Sequence, residues 1–288
     1  MMVSPWRLAV AVSLGMVVTP ATAHTLASVD AGRGPVTVMV PDGYTPERAV
    51  PMVLSLHGYG GGGDAYVRYW TRNGQVDKQG FIVVAPSGKP DTKGRAYWNA
   101  TDACCDKDDQ NVDDSGYLRR LIEVVEAAYT IDPKSIHITG YSNGGFMAHR
   151  MACEHADMLA SISSVAGAGP SDADRCAPAA PINVLQVHGI EDRVIQYEGG
   201  ELRNRAGATR AAYPGAVATV AAWAERNGAQ IPPIAGPLAT SAIERRGTTR
   251  AQRSTSAVGP ASSCGPSLER AMFRACRKRS TKASWSGC

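Results

Sequence analysis

Gly140-Tyr141-Ser142-Asn143-Gly144 is the most reactive-looking segment of this sequence. It fits the pattern G-x-S-x-G, between the strand-like run Ser135 to Thr139 and a helical run reaching about Glu154. A serine on a sharp strand-to-helix turn holds its hydroxyl clear of the backbone, and the flanking glycines let strand and helix approach. Ser142 is therefore expected to act as a nucleophile, with the Asn143 amide as a donor to a developing oxyanion. An earlier loop, His57-Gly58-Tyr59-Gly60-Gly61-Gly62-Gly63, follows an apolar run and can present a second amide, that of Tyr59. No GxxxxGK[ST] segment occurs, which sets aside a phosphate cradle. His188-Gly189-Ile190-Glu191-Asp192 closes another apolar run. Asp192, downstream of Ser142, suits the acid that orients and stabilises a catalytic imidazole, with Glu191 as its competitor.

The base is the difficulty. The chain has six histidines: His24, His57, His137, His149, His155 and His188, and none follows Asp192. Serine without a base is a weak nucleophile. His57 and His188 read as shaping the two loops, His137 and His149 as packing residues, and His155 as a helix end.

Elements that would position these residues can be read from apolar periodicity. Val36 to Val40, Val50 to Leu56, Phe81 to Ala85, Ser135 to Thr139, Leu159 to Ala166 and Ile182 to Val187 are short apolar runs bounded by Gly, Pro or polar residues, which predicts strands. Tyr117, Leu118, Leu121, Ile122, Val125 and Ala128 recur at helical spacing, and Ala216 to Arg226 ends at Asn227-Gly228 as a helix does. Strands alternating with helices predict an α/β protein with a doubly wound, mostly parallel sheet, whose site forms at the carboxyl ends of the strands.

The first residues read as an export signal. Arg7 precedes the apolar run Leu8 to Val18, and Ala21-Thr22-Ala23 is a small-x-small cleavage site, so 1–23 is expected to be removed. The run is too short to span a membrane. Export implies an oxidising compartment in which cysteines pair. Cys104, Cys105, Cys153 and Cys176 lie in the body, and Cys264, Cys276 and Cys288 in the tail. Four body cysteines allow three pairings, and spacing does not choose among them. Cys153 with Cys176 is the expectation here; the adjacent Cys104 and Cys105 could pair with each other only in a strained turn, so one of them is expected to have lost its partner.

Charge divides the chain. Residues 231–288 carry ten Arg and Lys against Glu244 and Glu269, a net +8, so a whole-chain charge of +4 leaves −4 on residues 1–230. A basic tail can act as a polyanion-binding arm, but nucleic acid is not the partner expected here.

The body resembles the secreted polyhydroxybutyrate depolymerase and feruloyl esterase group of α/β-hydrolases. The resemblance rests on HGYGGGG at 57–63, APSG at 85–88, YWNATDACC at 97–105, VDDSGYLRRLI at 112–122, GYSNGGFMAHRMACEHAD at 140–157 and VLQVHGIEDRVIQYEGG at 184–200. It implies the α/β-hydrolase fold over 24–228. It implies a secreted enzyme that hydrolyses a polyester or a plant-wall phenolic ester through an acyl-enzyme, without metal or cofactor and without membrane attachment after signal cleavage. Ser142 and Asp192 would be catalytic, Tyr59 and Asn143 would form the oxyanion hole, and His57 and Trp98 would lie at the substrate cleft.

That group has its histidine near the C-terminus, where this chain has an atypical basic tail over 229–288, rich in Arg, Ser, Thr, Ala, Gly and Pro. Codons allowed from Ser263 onward, read from their third base, permit L-W-T-I-x-G-x-G-H-V-P-S-L, with histidine falling across Ala271 and Met272. The tail is therefore expected to be an out-of-frame translation, a disordered arm being the other reading, and turnover by this chain is expected to be impaired.

Overall fold

In the computed structural model, residues 24–229, 241–245 and 248–252 are described. The expected signal segment lies outside them, as does most of the tail.

Seven strands form one sheet in the order β1 (Thr25–Asp30), β2 (Pro35–Val40), β4 (Ile82–Val84), β3 (Val50–Leu56), β7 (Ile131–Tyr141), β8 (Ser161–Val165) and β9 (Asn183–Val187). β1, β2 and β4 pair antiparallel, and from β4 through β9 every pairing is parallel. This is the mostly parallel α/β sheet expected from the alternation of runs. β3, inside the sheet, buries six of its seven residues, as a strand covered on both faces should.

Helices α1 (Gly63–Asn73), α2 (Gln75–Gln79), α3 (Asp114–Ala128), α4 (Asn143–Glu154) and α5 (Ala216–Arg226) join or cover the strands. The α3 amide of Gly116 donates to the Asp113 side chain at 2.8 Å, which caps the helix. Tyr117, Leu118, Leu121, Ile122 and Val125 form its buried face. Each such side chain stabilises the fold by about 1.5–3 kcal/mol.

Several elements are absent from the expectation. β1 is an edge strand with a largely exposed pattern, so it lacks an apolar signature. α1 opens inside the glycine run without a side-chain cap. Two short pairs, β5 (Lys89–Pro90) with β6 (Ala96–Tyr97) and β10 (Gly199–Arg203) with β11 (Thr209–Pro214), carry more charge than apolar alternation. In the tail, β12 (Ser241–Arg245) pairs antiparallel with β13 (Thr248–Gln252) as a separate sheet, where loss of all periodicity was expected.

Cys153 is joined to Cys176, as expected. Cys104 is joined to Cys105 across a cis peptide, which corrects the expectation that one of them lacks a partner.

Candidate active site

Ser142 occupies the turn between β7 and α4 with φ 52° and ψ −119°, a conformation costly for any residue with a Cβ, by about 1–3 kcal/mol. The turn is forced by close approach, since a Cβ on Gly140 would overlap the carbonyl of Gly144. Ser142 is half-buried, and its hydroxyl has no hydrogen-bond partner among the described residues. Its amide donates to Val165 O at 2.7 Å. Next to it, the Ala166 amide donates to Val187 O at 2.8 Å. The ends of β7, β8 and β9 are thus level, and the turn after β9 lies about 10 Å, two strand spacings, from the serine.

Asn143 begins α4, where the first amides of a helix have no intrahelical acceptor. Its side chain is fully buried and tied in both directions to one residue: Oδ1 accepts from the Trp98 amide at 2.7 Å, and Nδ2 donates to Trp98 O at 2.8 Å and to Cys104 Sγ at 3.6 Å. Across from it, Gly58 packs so closely that a Cβ there would sit 3.0 Å from the Tyr141 ring and 3.4 Å from Ser142 Cβ. The next amide, that of Tyr59, therefore lies beside the serine turn. Neither the Tyr59 nor the Asn143 amide donates to a protein acceptor among the described residues.

The Tyr59 phenol is anchored away from the serine, on Asp91. Burial alone would push the Asp91 carboxyl up in pKa. Donation by the Tyr59 hydroxyl, the Arg95 and Lys93 amides and Arg205 outweighs it and holds the group well below the usual carboxylate range. Arg205, between β10 and β11, bridges Asp91 at 2.6 Å and also binds Asp108. The irregular hairpin thereby braces the 57–63 loop, an arrangement the sequence signals only through its charges.

His57 and Trp98 support that loop from inside. Both are fully buried, with ring centroids 4.9 Å apart. The Gly88 amide donates to His57 Nε2 at 2.9 Å, so the proton sits on Nδ1 and is given to Gly58 O at 2.7 Å. Trp98 Nε1 donates to His57 O at 3.0 Å. Neither side chain faces solvent, where a cleft-lining place was expected.

Asp192 is half-buried on the turn after β9. Its Oδ1 accepts from the Val194 amide at 2.9 Å and the Ile195 amide at 3.1 Å, while Oδ2 has no partner among the described residues. Glu191, its competitor, is exposed.

Each of the other histidines has at least one side-chain partner. His137 Nδ1 meets Ser161 Oγ at 2.8 Å. His149 and His188 each use both ring nitrogens in buried contacts. His155 Nε2 meets Ser115 Oγ at 3.0 Å, and His24 lies beside Thr71 and Asp77.

Burial lowers the pKa of His149 and of His137 to about 4, from 6.5. The unfolded chain then binds protons between pH 6.5 and 4 that the native state refuses, so stability falls as pH falls through that window. Each histidine should contribute about 3 kcal/mol to the loss. Urea melts at pH 7 and pH 4.5 should show it, and His149→Gln should reduce the difference. The lowered carboxylates, such as Asp91, act only at more acid pH.

Among the described residues no cluster of His, Cys, Asp and Glu could hold a metal ion, and no helix is long and apolar enough to cross a membrane.

The chain is similar to known esterases. Feruloyl esterase B of Piromyces equi is 30% identical over 200 residues, covering 67% of this chain and 35% of its own length. A protein named probable feruloyl esterase C of Aspergillus niger is 29% identical over 175 residues, 59% of each chain. The chain thus spans between about a third and three fifths of these relatives. A thermostable esterase of known structure shares the fold at TM-score 0.51 and 21% identity, over 71% of this chain and 52% of that one. The family described as "Putative esterase" matches residues 31–229, and the chain belongs to that esterase family.

Proposed function

We propose that this chain is a secreted carboxylic-ester hydrolase built around Ser142. The reading rests on one observation: a serine with positive φ at the strand–helix turn, its hydroxyl without a partner among the described residues, flanked by two amides that likewise have no acceptor among them. Ser142 Oγ attacks the ester carbonyl, its proton goes to a base, and the Tyr59 and Asn143 amides hold the oxyanion. Collapse of the tetrahedral intermediate expels the alcohol, which takes the proton back, and water then releases the acid by the same route. Asp192 offers Oδ2 to orient the base. His57 and Trp98 shape the oxyanion loop from within, in place of direct substrate contact.

The acyl group we favour is a feruloyl-type phenolic acid, as the names of the relatives suggest, with a polyhydroxyalkanoate as the second choice. In these 288 residues no histidine follows His188, and slow turnover in the absence of an added base is part of the proposal. The tail from 229 onward is read as the out-of-frame product of an ordinary hydrolase C-terminus, and sequencing the gene downstream of the Gly228 codon tests that.

The activity is tested with p-nitrophenyl acetate and methyl ferulate, with and without imidazole as a soluble base, on the wild-type chain and Ser142→Ala. Turnover that Ser142→Ala removes supports the reading, and turnover indifferent to it overturns the reading. Binding of a feruloylated or polyester polymer with no Ser142-dependent turnover, even in imidazole, would favour a non-catalytic binding protein on the same fold.

A further inference from the structure

Behind the acid turn runs a chain of buried polar side chains that the ester chemistry does not use. Trp223 of α5 donates from Nε1 to His149 Nδ1 at 2.9 Å. His149 of α4 meets Gln186 Oε1 through Nε2 at 3.0 Å. Gln186 of β9 reaches Gly167 O at 2.8 Å and His188 Nδ1 at 3.2 Å through its own Nε2. His188 Nε2 ends on Ile195 O at 2.7 Å. None of the four side chains is more than 4% exposed.

The direction of every proton follows from the two ends. An indole N–H only donates, so His149 Nδ1 accepts and its proton is on Nε2, given to Gln186 Oε1. A carbonyl only accepts, so Gly167 identifies the Gln186 donor, and Ile195 places the His188 proton on Nε2. The two assignments meet at Gln186 without conflict. Such a fully satisfied buried network is rigid.

The chain ends on the residue that Asp192 also grips. His188 holds the Ile195 carbonyl, while Asp192 Oδ1 takes the amides of Val194 and Ile195. We propose that His188 is a positioning residue for Asp192: through Ile195 it fixes the 192–195 turn, and Gln186, His149 and Trp223 fix its tautomer, so that Oδ2 keeps a single direction. The proposal rests on the hydrolase reading insofar as Asp192 is the acid.

A double-mutant cycle on the full chain, assayed with p-nitrophenyl acetate in imidazole, tests it. His188→Ala and Asp192→Ala should each lower kcat about tenfold or more with KM little changed, because misplacing a catalytic group costs rate more than binding. Their combination should be no worse than Asp192→Ala alone, and His188→Gln, which keeps a donor near Nε2, should recover most of the loss. Additive losses would overturn the proposal.

Hydrogen exchange decides the matter even if turnover is too slow to follow. In His188→Ala the Val194 and Ile195 amides should exchange about tenfold faster or more, with the change confined to 189–196. Unchanged exchange there, or acceleration spread equally through β9 and α5, overturns the proposal. Imidazole-supported turnover that survives Ser142→Ala would instead overturn the hydrolase reading and leave the exchange result standing.

Discussion

Imidazole at about 50 mM should raise ester turnover by this chain about 100-fold, the low end of what a general base contributes. The imidazole would accept the Ser142 proton on one nitrogen and give its own N–H to Asp192 Oδ2 from the other. That role needs a five-membered ring with two nitrogens, so N-methylimidazole, which cannot donate to Asp192, should do markedly worse. The gain should follow the neutral form of imidazole and fade below its pKa. Three of the protein's own histidines, His57, His149 and His188, cannot substitute, since they have both nitrogens committed in buried hydrogen bonds. An equal gain in Ser142→Ala would show that imidazole is hydrolysing the ester by itself.

Gly140→Ala should be the most damaging single-methyl change in the body. The added Cβ overlaps the Gly144 carbonyl and neighbouring backbone, and backbone cannot swing aside as a side-chain tip can. Overpacking of this kind costs about 3 kcal/mol or more. In a domain of this size that lowers Tm by about 10 °C. Any relief comes from moving α4 away from β7, which displaces both Ser142 and the Asn143 amide. Imidazole-supported turnover should therefore fall about 100-fold even in molecules that remain folded. Thermal melts and turnover of the purified variant check both parts, and a variant with wild-type Tm would show that the turn is looser than its geometry implies.

Much of the frame can be read in the sequence, because burial on both faces leaves a plain mark. Val50–Leu56 and Ala216–Arg226 have the bounds expected from their apolar runs, and α3 carries the residues expected at helical spacing from Tyr117 to Ala128. β7 extends further than its apolar run, from Ile131 to Tyr141: the buried Ile131 pairs with Val50, and a register shift separates that pair from the next one, Ile136 with Met52. The elbow was readable because its glycines are required by contact. The charged braces were not: Arg205 reaches Asp91 across 114 residues, and no local pattern announces such a pair. Trp98 and Asn143 show the same limit. The resemblance implied a cleft aromatic and the place after Ser142 an amide donor, whereas the paired bonds from the Asn143 side chain to the Trp98 backbone appear only in three dimensions.

The buried chain from Trp223 to His188 also carries information about the order of synthesis. The serine turn needs only β3, β7, β8 and α4, all complete by Val165. The acid turn reaches its final support when α5, Ala216–Arg226, is in place to offer Trp223 to His149, 74 residues earlier in the chain. Domains emerge from the ribosome N-terminus first. A nascent chain halted near residue 200 would thus present a formed Ser142 turn beside an Asp192 loop still unsupported by α5, so the proposed centre is assembled in two instalments and the serine is shaped well before its proposed partner is fixed.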